Sequence, residues 1–153
     1  MSWLELKIPP PLVALSMGVG GWWLSLWTPV LQTAPQVRTA LALGLVAAGL
    51  AIELSGVWAF RRARTTINPL RPERASALVD GGIYRWTRNP MYVGMALLLT
   101  AWAVHLGAPA ALLAVAGFVV WIQRFQIQPE ERHLRERFGA AYDAYCARVR
   151  RWV

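Results

Sequence analysis

The sequence predicts an all-α, polytopic membrane protein with four transmembrane helices and a cytoplasmic, amphipathic C-terminal helical segment. Its 153 residues are 56% hydrophobic, include nine tryptophans and have a mean hydropathy of +0.36, a composition foreign to soluble domains. Four apolar runs divide the chain. The formal net charge of +8 comes almost wholly from arginines, and these lie in the segments between the runs. A basic surface can serve nucleic acid, but this placement favours membrane topology and anionic lipid, so no nucleic-acid partner is expected.

The first expected span, 11–30, is uncharged, and about twenty residues suffice to cross a bilayer. Its bulky Trp22, Trp23 and Trp27, with no small-residue cleavage pattern after them, separate it from a signal peptide. After a turn with Pro35, the second span covers 39–60, where Gly44, Ala47, Ala48, Gly49 and Ala51 let another helix approach closely. Glu53 is the one charge in this run. An intramembrane carboxylate is costly, so Glu53 is expected to point inward, either in a substrate or proton role or as a structural hydrogen bond.

Residues 61–90 form a basic, proline-marked connector containing Asn68, Pro69 and Pro72. It is too long for a plain link between packed helices, usually about 2–8 residues, and a functional role is expected of it. The third and fourth spans, 91–107 and 108–124, form a hairpin through Leu106-Gly107-Ala108-Pro109. They are short for a hydrocarbon core about 30 Å thick, so their ends extend into polar segments or the bilayer thins around them. Seven arginines lie between Arg61 and Arg88 and seven more between Arg124 and Arg151, whereas the two other connections hold only Arg38. Both termini are therefore expected in the cytoplasm, in a bacterial-type inner membrane. The single Cys146 excludes an intramolecular disulfide and a thiolate metal cluster, and no metal site is expected.

Two segments carry candidate chemistry. In Gly81-Gly82-Ile83-Tyr84-Arg85-Trp86-Thr87-Arg88-Asn89-Pro90-Met91-Tyr92-Val93-Gly94, Pro90 suits the first position of a helix and Asn89 a side-chain cap. Amides free at such a helix start can meet a ligand carboxylate. The simpler reading is an interfacial turn anchored by Arg85, Trp86, Arg88 and Tyr92. In the tail, 125–153, Pro129 fits a helix start and Gly139 a stop, with Glu130 and Glu131 in the first turn where the helix dipole favours acids. Spacing alone makes this an amphipathic interfacial helix.

Taken in order, Leu78-Val79, Gly82-Ile83-Tyr84, Arg88-Asn89-Pro90-Met91-Tyr92-Val93-Gly94, and then Glu130-Glu131, Leu134, Phe138-Gly139, Tyr142, Tyr145 and Val149 form a recognisable series. It resembles the isoprenylcysteine carboxyl methyltransferase and phospholipid methyltransferase superfamily of integral membrane enzymes. The resemblance implies S-adenosylmethionine as cofactor, S-adenosylhomocysteine as product, and a lipophilic acceptor that arrives from the bilayer. It further implies that Leu78, Val79, Tyr84, Asn89, Pro90, Met91, Tyr92 and Glu130 contact the cofactor, and that Glu131 orients the helix or the acceptor. A cationic sulfonium is suited to carboxylate and aromatic neighbours. In isoprenylcysteine enzymes a substrate-holding arginine lies four residues before the first glutamate. Gln126 stands there in this chain, so Arg124 takes over the acceptor's carboxylate or the acceptor has none. The terminal Val-Pro-Arg of many relatives reads Val149-Arg150-Arg151. Phosphatidylethanolamine-type N-methylation and small-thiol S-methylation are the alternatives within the class; a non-enzymatic lipid- or partner-binding membrane protein is the alternative outside it. No general base is assigned.

Overall fold

The computed structural model describes residues 3–63 and 77–153, and all regular structure among them is helical. Asn68, a polar candidate of the connector, lies outside the described residues. Each apolar run forms a helix: α1 (Pro10–Ser25), α2 (Pro35–Arg62), α3 (Pro90–Leu106) and α4 (Leu112–Ile122), the last entered through a 3-10 turn at Pro109–Ala111. Prolines stand at the N-terminal turns of α1, α2 and α3, where their missing N–H and fixed φ cost least. α1 ends well before residue 30, because Pro29 cannot continue a helix and disfavours helical geometry at Thr28.

The segments Pro35–Arg62 and Pro109–Phe138 are helices long and apolar enough to cross a bilayer; Pro90–Leu106 is also apolar but shorter. In α2 the most apolar stretch is only 17% buried. Leu41, Leu43, Leu50, Leu54 and Trp58 lie exposed along it, which marks a lipid-facing helix and not the core of a soluble protein.

α2 packs along α3 through small residues. A methyl added at Gly94 would collide with the Glu53 side chain and stand 2.8 Å from the Gly49 carbonyl oxygen, so this crossing depends on glycine. At the other end of the pair, Arg38 donates from Nη1 to the Leu106 carbonyl (3.2 Å), and the Leu31 amide donates to the Gly107 carbonyl (2.8 Å). The one arginine of the sparsely charged side thus caps the C-terminus of α3.

Pro129 does not begin a separate helix. The chain runs from α4 through a π-helical turn, Gln123–Ile127, directly into α5 (Gln128–Phe138). The wide turn takes up the residue that would clash with Pro129. The carbonyl of Phe125, which Pro129 has no N–H to satisfy, instead accepts from the Leu6 amide at 3.0 Å. Glu5 fixes the same N-terminal segment through Arg124 (3.0 Å) and Arg132 (2.5 Å). Gly139, at φ 50° and ψ −127°, ends α5 and turns the chain into α6 (Ala140–Arg148).

Besides a small alanine cluster of Ala103, Ala108 and Ala111 at the α3–α4 turn, two larger apolar clusters form among the described residues. Val13, Tyr92, Leu99, Phe118, Ile122 and Ile127 join α1, α3 and α4, while Tyr84, Tyr142, Tyr145 and Val149 join the connector to α6. The candidate site lies where these clusters meet.

Candidate active site

Pro90 takes the expected place at the start of α3, but Asn89 does not cap with its side chain. Its backbone is at φ −131° and ψ 55°, and its carbonyl accepts from the Tyr92 (3.1 Å) and Val93 (3.0 Å) amides. The side-chain amide points to the C-terminus and donates to the Arg151 carbonyl at 2.8 Å. Thr87 adds two bonds at this junction: its hydroxyl accepts from the Asn89 amide (3.1 Å) and donates to the Arg151 carbonyl (3.3 Å). The Arg88 amide donates to the Arg150 carbonyl at 3.0 Å. The last residues of the chain therefore clamp the turn that starts α3.

Opposite that turn, the π-helical bulge brings Gln126 and Glu130 onto one side of the α4–α5 helix. Glu130 Oε1 accepts from the Tyr92 hydroxyl at 2.6 Å and from Gln126 Nε2 at 3.3 Å. Removal from water pushes the Glu130 carboxyl up to about 8; its two hydrogen bonds oppose the rise and the neighbouring Glu131 adds to it. Gln126 is 3% exposed, so its amide lies inside the protein.

Glu131, the next residue, is bound by two arginines. Arg88 Nη2 reaches Oε1 at 2.8 Å, and Arg151 forms a fork with Nε at 3.0 Å and Nη2 at 2.7 Å. Burial would raise its carboxyl, yet the hydrogen bonds and charges of Arg151 and Arg88 hold it below the ordinary value. Arg88 also donates to the Cys146 and Val149 carbonyls, tying α6 to the same knot.

The remaining candidates divide. Pro90 and Met91 face Gly56 of α2, with the Tyr84 hydroxyl beside them. Leu78 and Val79 pack against the Tyr84, Tyr142 and Tyr145 cluster and line a recess of about 390 Å³ that also includes Trp58, Arg62 and Arg85. Arg124 is half exposed and paired with Glu5, away from Gln126's buried amide. Three residues absent from the sequence-based set help to build the site: Arg88 and Arg151, which hold Glu131, and Trp152, whose indole donates to Gln123 at 3.0 Å. The available signal was Arg151 itself, which keeps the arginine of the terminal pattern although Pro is replaced by Arg150.

The described residues thus form an all-helical scaffold with helices apolar enough to enter a membrane and, at their end, a partly buried carboxylate, Glu130, held by Tyr92 and Gln126. Comparison with known proteins gives the family. Residues 37–141 match the phospholipid methyltransferase family model, and the chain belongs to that family, within the superfamily that includes the isoprenylcysteine methyltransferases. Protein-S-isoprenylcysteine O-methyltransferase B of Arabidopsis thaliana is 33% identical over 114 residues, which are 72% of this chain and 54% of the plant protein. The chain thus spans about half the length of that relative. An uncharacterized protein of Haemophilus influenzae is 43% identical over 63 residues, 41% of this chain and the whole of its own length. No solved structure matches.

Proposed function

We propose that the chain is an S-adenosylmethionine-dependent integral membrane methyltransferase that resembles isoprenylcysteine carboxyl methyltransferase and methylates a lipophilic acceptor at the cytoplasmic face. In this reading α1 to α4 cross the membrane, both termini are cytoplasmic, and the site opens towards the cytoplasm. The observation that carries it is Glu130, a carboxyl withdrawn from water whose hydrogen bonds come from the neutral Tyr92 and Gln126. Its negative charge, when ionised, is left for a ligand.

That environment fits the cofactor the family implies. S-adenosylmethionine supplies a methyl group on a positively charged sulfur, ready for transfer to a nucleophile. Glu130 offers the opposing charge or accepts from the cofactor's amino or hydroxyl groups. Tyr84 and Tyr92 present aromatic surface favourable to a cation, with Pro90 and Met91 beside them and Leu78, Val79 and Asn89 at the margin. Glu131, engaged by Arg88 and Arg151, holds α5 against the α3 turn and so keeps Glu130 in register. Gln126 faces the acceptor side. Methyl transfer depends on alignment and exclusion of water more than on covalent participation by the protein, which suits a site with no assigned base.

The test is calorimetric binding of S-adenosylhomocysteine to the purified protein. Saturable binding that disappears in Glu130→Ala, with the unfolding midpoint preserved, is expected; no binding to folded wild type at millimolar ligand would end the cofactor reading. Membranes containing the protein should also incorporate label from methyl-labelled S-adenosylmethionine. Release of that label as methanol in mild base identifies an ester, and base-stable label identifies N- or S-methylation.

A further inference from the structure

The segment that precedes α1 has features that a loose leader would lack. Among the described residues, Leu6 is the only one other than glycine at positive φ, 56°. Left-handed backbone is costly for a bulky side chain. The Leu6 amide nevertheless reaches into the π-helical turn and donates to the Phe125 carbonyl at 3.0 Å. Next to it Glu5, whose side chain is only 5% exposed, pairs with Arg124 in that turn and with Arg132 in α5. Strained backbone persists where its surroundings hold it, and here what holds it is the turn that leads to Glu130.

Glu5 can make both ion pairs only in one helical register. In a regular α-helix, side chains eight residues apart diverge by about 80° around the axis. The π-helical turn, closed by the Gln128 amide on the Gln123 carbonyl, takes up one extra residue and brings Arg124 and Arg132 to within about 20° of each other. One carboxylate then bridges both. Closing the same turn as an α-helix would rotate all that follows by about 100° relative to α4, which Phe118 and Ile122, both fully buried, fix in the core. Such a rotation would carry Glu130 away from Tyr92 and break their 2.6 Å hydrogen bond.

We infer that Glu5 and Leu6 are positioning residues: the N-terminal segment locks the π-helical turn and thereby holds Glu130 against Tyr92. Both act through the turn. Arg88 and Arg151 fix α5 through Glu131, and Glu5 with Leu6 fixes the point where α5 leaves α4. The arginine partners of Glu5 are 50% and 43% exposed, so water takes over their solvation when Glu5 is lost. The lock therefore governs register more than stability. Its effect on cofactor binding rests on the function proposed above, whereas its effect on register does not.

Register is read by electron–electron double resonance on the full chain in phosphatidylcholine nanodiscs, as the distance between nitroxides at Val120→Cys on α4 and Glu136→Cys on α5. Both positions are exposed, and Cys146→Ser removes the native thiol. S-adenosylhomocysteine affinity is measured by calorimetry on the same variants without labels. Glu5→Ala should displace or broaden the distance and weaken binding about tenfold, the scale of one hydrogen bond, with a smaller fall in the unfolding midpoint than in Glu131→Ala. Leu6→Pro, which has no amide donor and cannot adopt φ 56°, should act alike; Leu6→Gly, which keeps the donor and relieves the backbone, should retain the wild-type distance and affinity. Pro129→Ala restores an N–H for the Phe125 carbonyl, so it should be near neutral alone and should deepen the loss in Glu5→Ala/Pro129→Ala. A wild-type distance in that double variant, or equal impairment by Leu6→Gly and Leu6→Pro, overturns the inference. The distance needs no ligand, which separates the two readings. Displaced distances in the variants with no binding by wild type defeat the cofactor reading alone, and unchanged distances with binding by wild type defeat the lock alone.

Discussion

Glu130 and Glu131 are adjacent on one helix and meet opposite surroundings. Glu131 faces Arg88 and Arg151, is 8% exposed, and is held ionised as the centre of a knot joining α5, the α3 turn and the C-terminus. Glu130 faces Tyr92 and Gln126, has neutral partners, and has its carboxyl pushed up to about 8 by removal from water. The same functional group thus serves structure where opposite charges accompany it into the interior, and keeps an uncompensated charge, which the proposed function assigns to a ligand, where only neutral donors do. The residue type alone could not assign these roles; the side of the helix does.

The largest effect should come from breaking the paired side. Glu131→Ala leaves Arg88 and Arg151 without their counter-ion, and removing one partner of a buried pair costs about 3–5 kcal/mol. The expected result is a marked fall in the unfolding midpoint in detergent, with cofactor binding lost as a consequence of misfolding. A wild-type midpoint would show that the knot is ornamental and would remove the contrast with Glu130. Glu130→Gln, by comparison, should change stability by less than about 1 kcal/mol, since an amide keeps one acceptor for Tyr92. Its cost should appear in cofactor affinity, about 10- to 100-fold, or about 1.4–2.7 kcal/mol.

This asymmetry explains which parts of the molecule the sequence made legible. Helix positions follow from local patterns: apolar runs bounded by prolines locate α1 to α4, and Pro90 and Gly139 stand where proline and glycine belong. The family was readable from the ordered series of motif residues, none of which needs a tertiary contact to be seen. What stayed hidden depends on residues far apart in the chain. The helix continues past Pro129 because Leu6, more than a hundred residues earlier, satisfies the Phe125 carbonyl. Asn89 turns from the α3 start to the Arg151 carbonyl, 62 positions away. Glu131 looks like an exposed acid of an amphipathic helix until Arg88 and Arg151 are placed beside it.

The difference in titration gives a pH test. In the free protein Glu130 is protonated below about pH 8, so a cationic ligand that needs the carboxylate must displace a proton there. Affinity for S-adenosylmethionine should therefore fall about tenfold for each pH unit below 8 and level off above it. Glu131, lowered by its arginines, contributes no break in this range. Glu130→Gln should flatten the profile; a slope that persists in the variant would place the titrating group elsewhere.

The smallest change sharpens the same contrast. Tyr92→Phe removes the 2.6 Å hydrogen bond to Glu130 Oε1 and leaves the Glu131 knot untouched. The Tyr92 hydroxyl favours the ionised carboxylate, so its loss should raise the Glu130 titration further and move the break in the binding profile to higher pH. Stability should change by about 1 kcal/mol. At a fixed pH of 7 the variant should bind S-adenosylmethionine more weakly, and raising the pH should recover part of that loss, which a mere loss of packing would not allow. If the break stays at its wild-type pH, Tyr92 is not the group that sets the charge of Glu130, and Gln126 becomes the neighbour to change next.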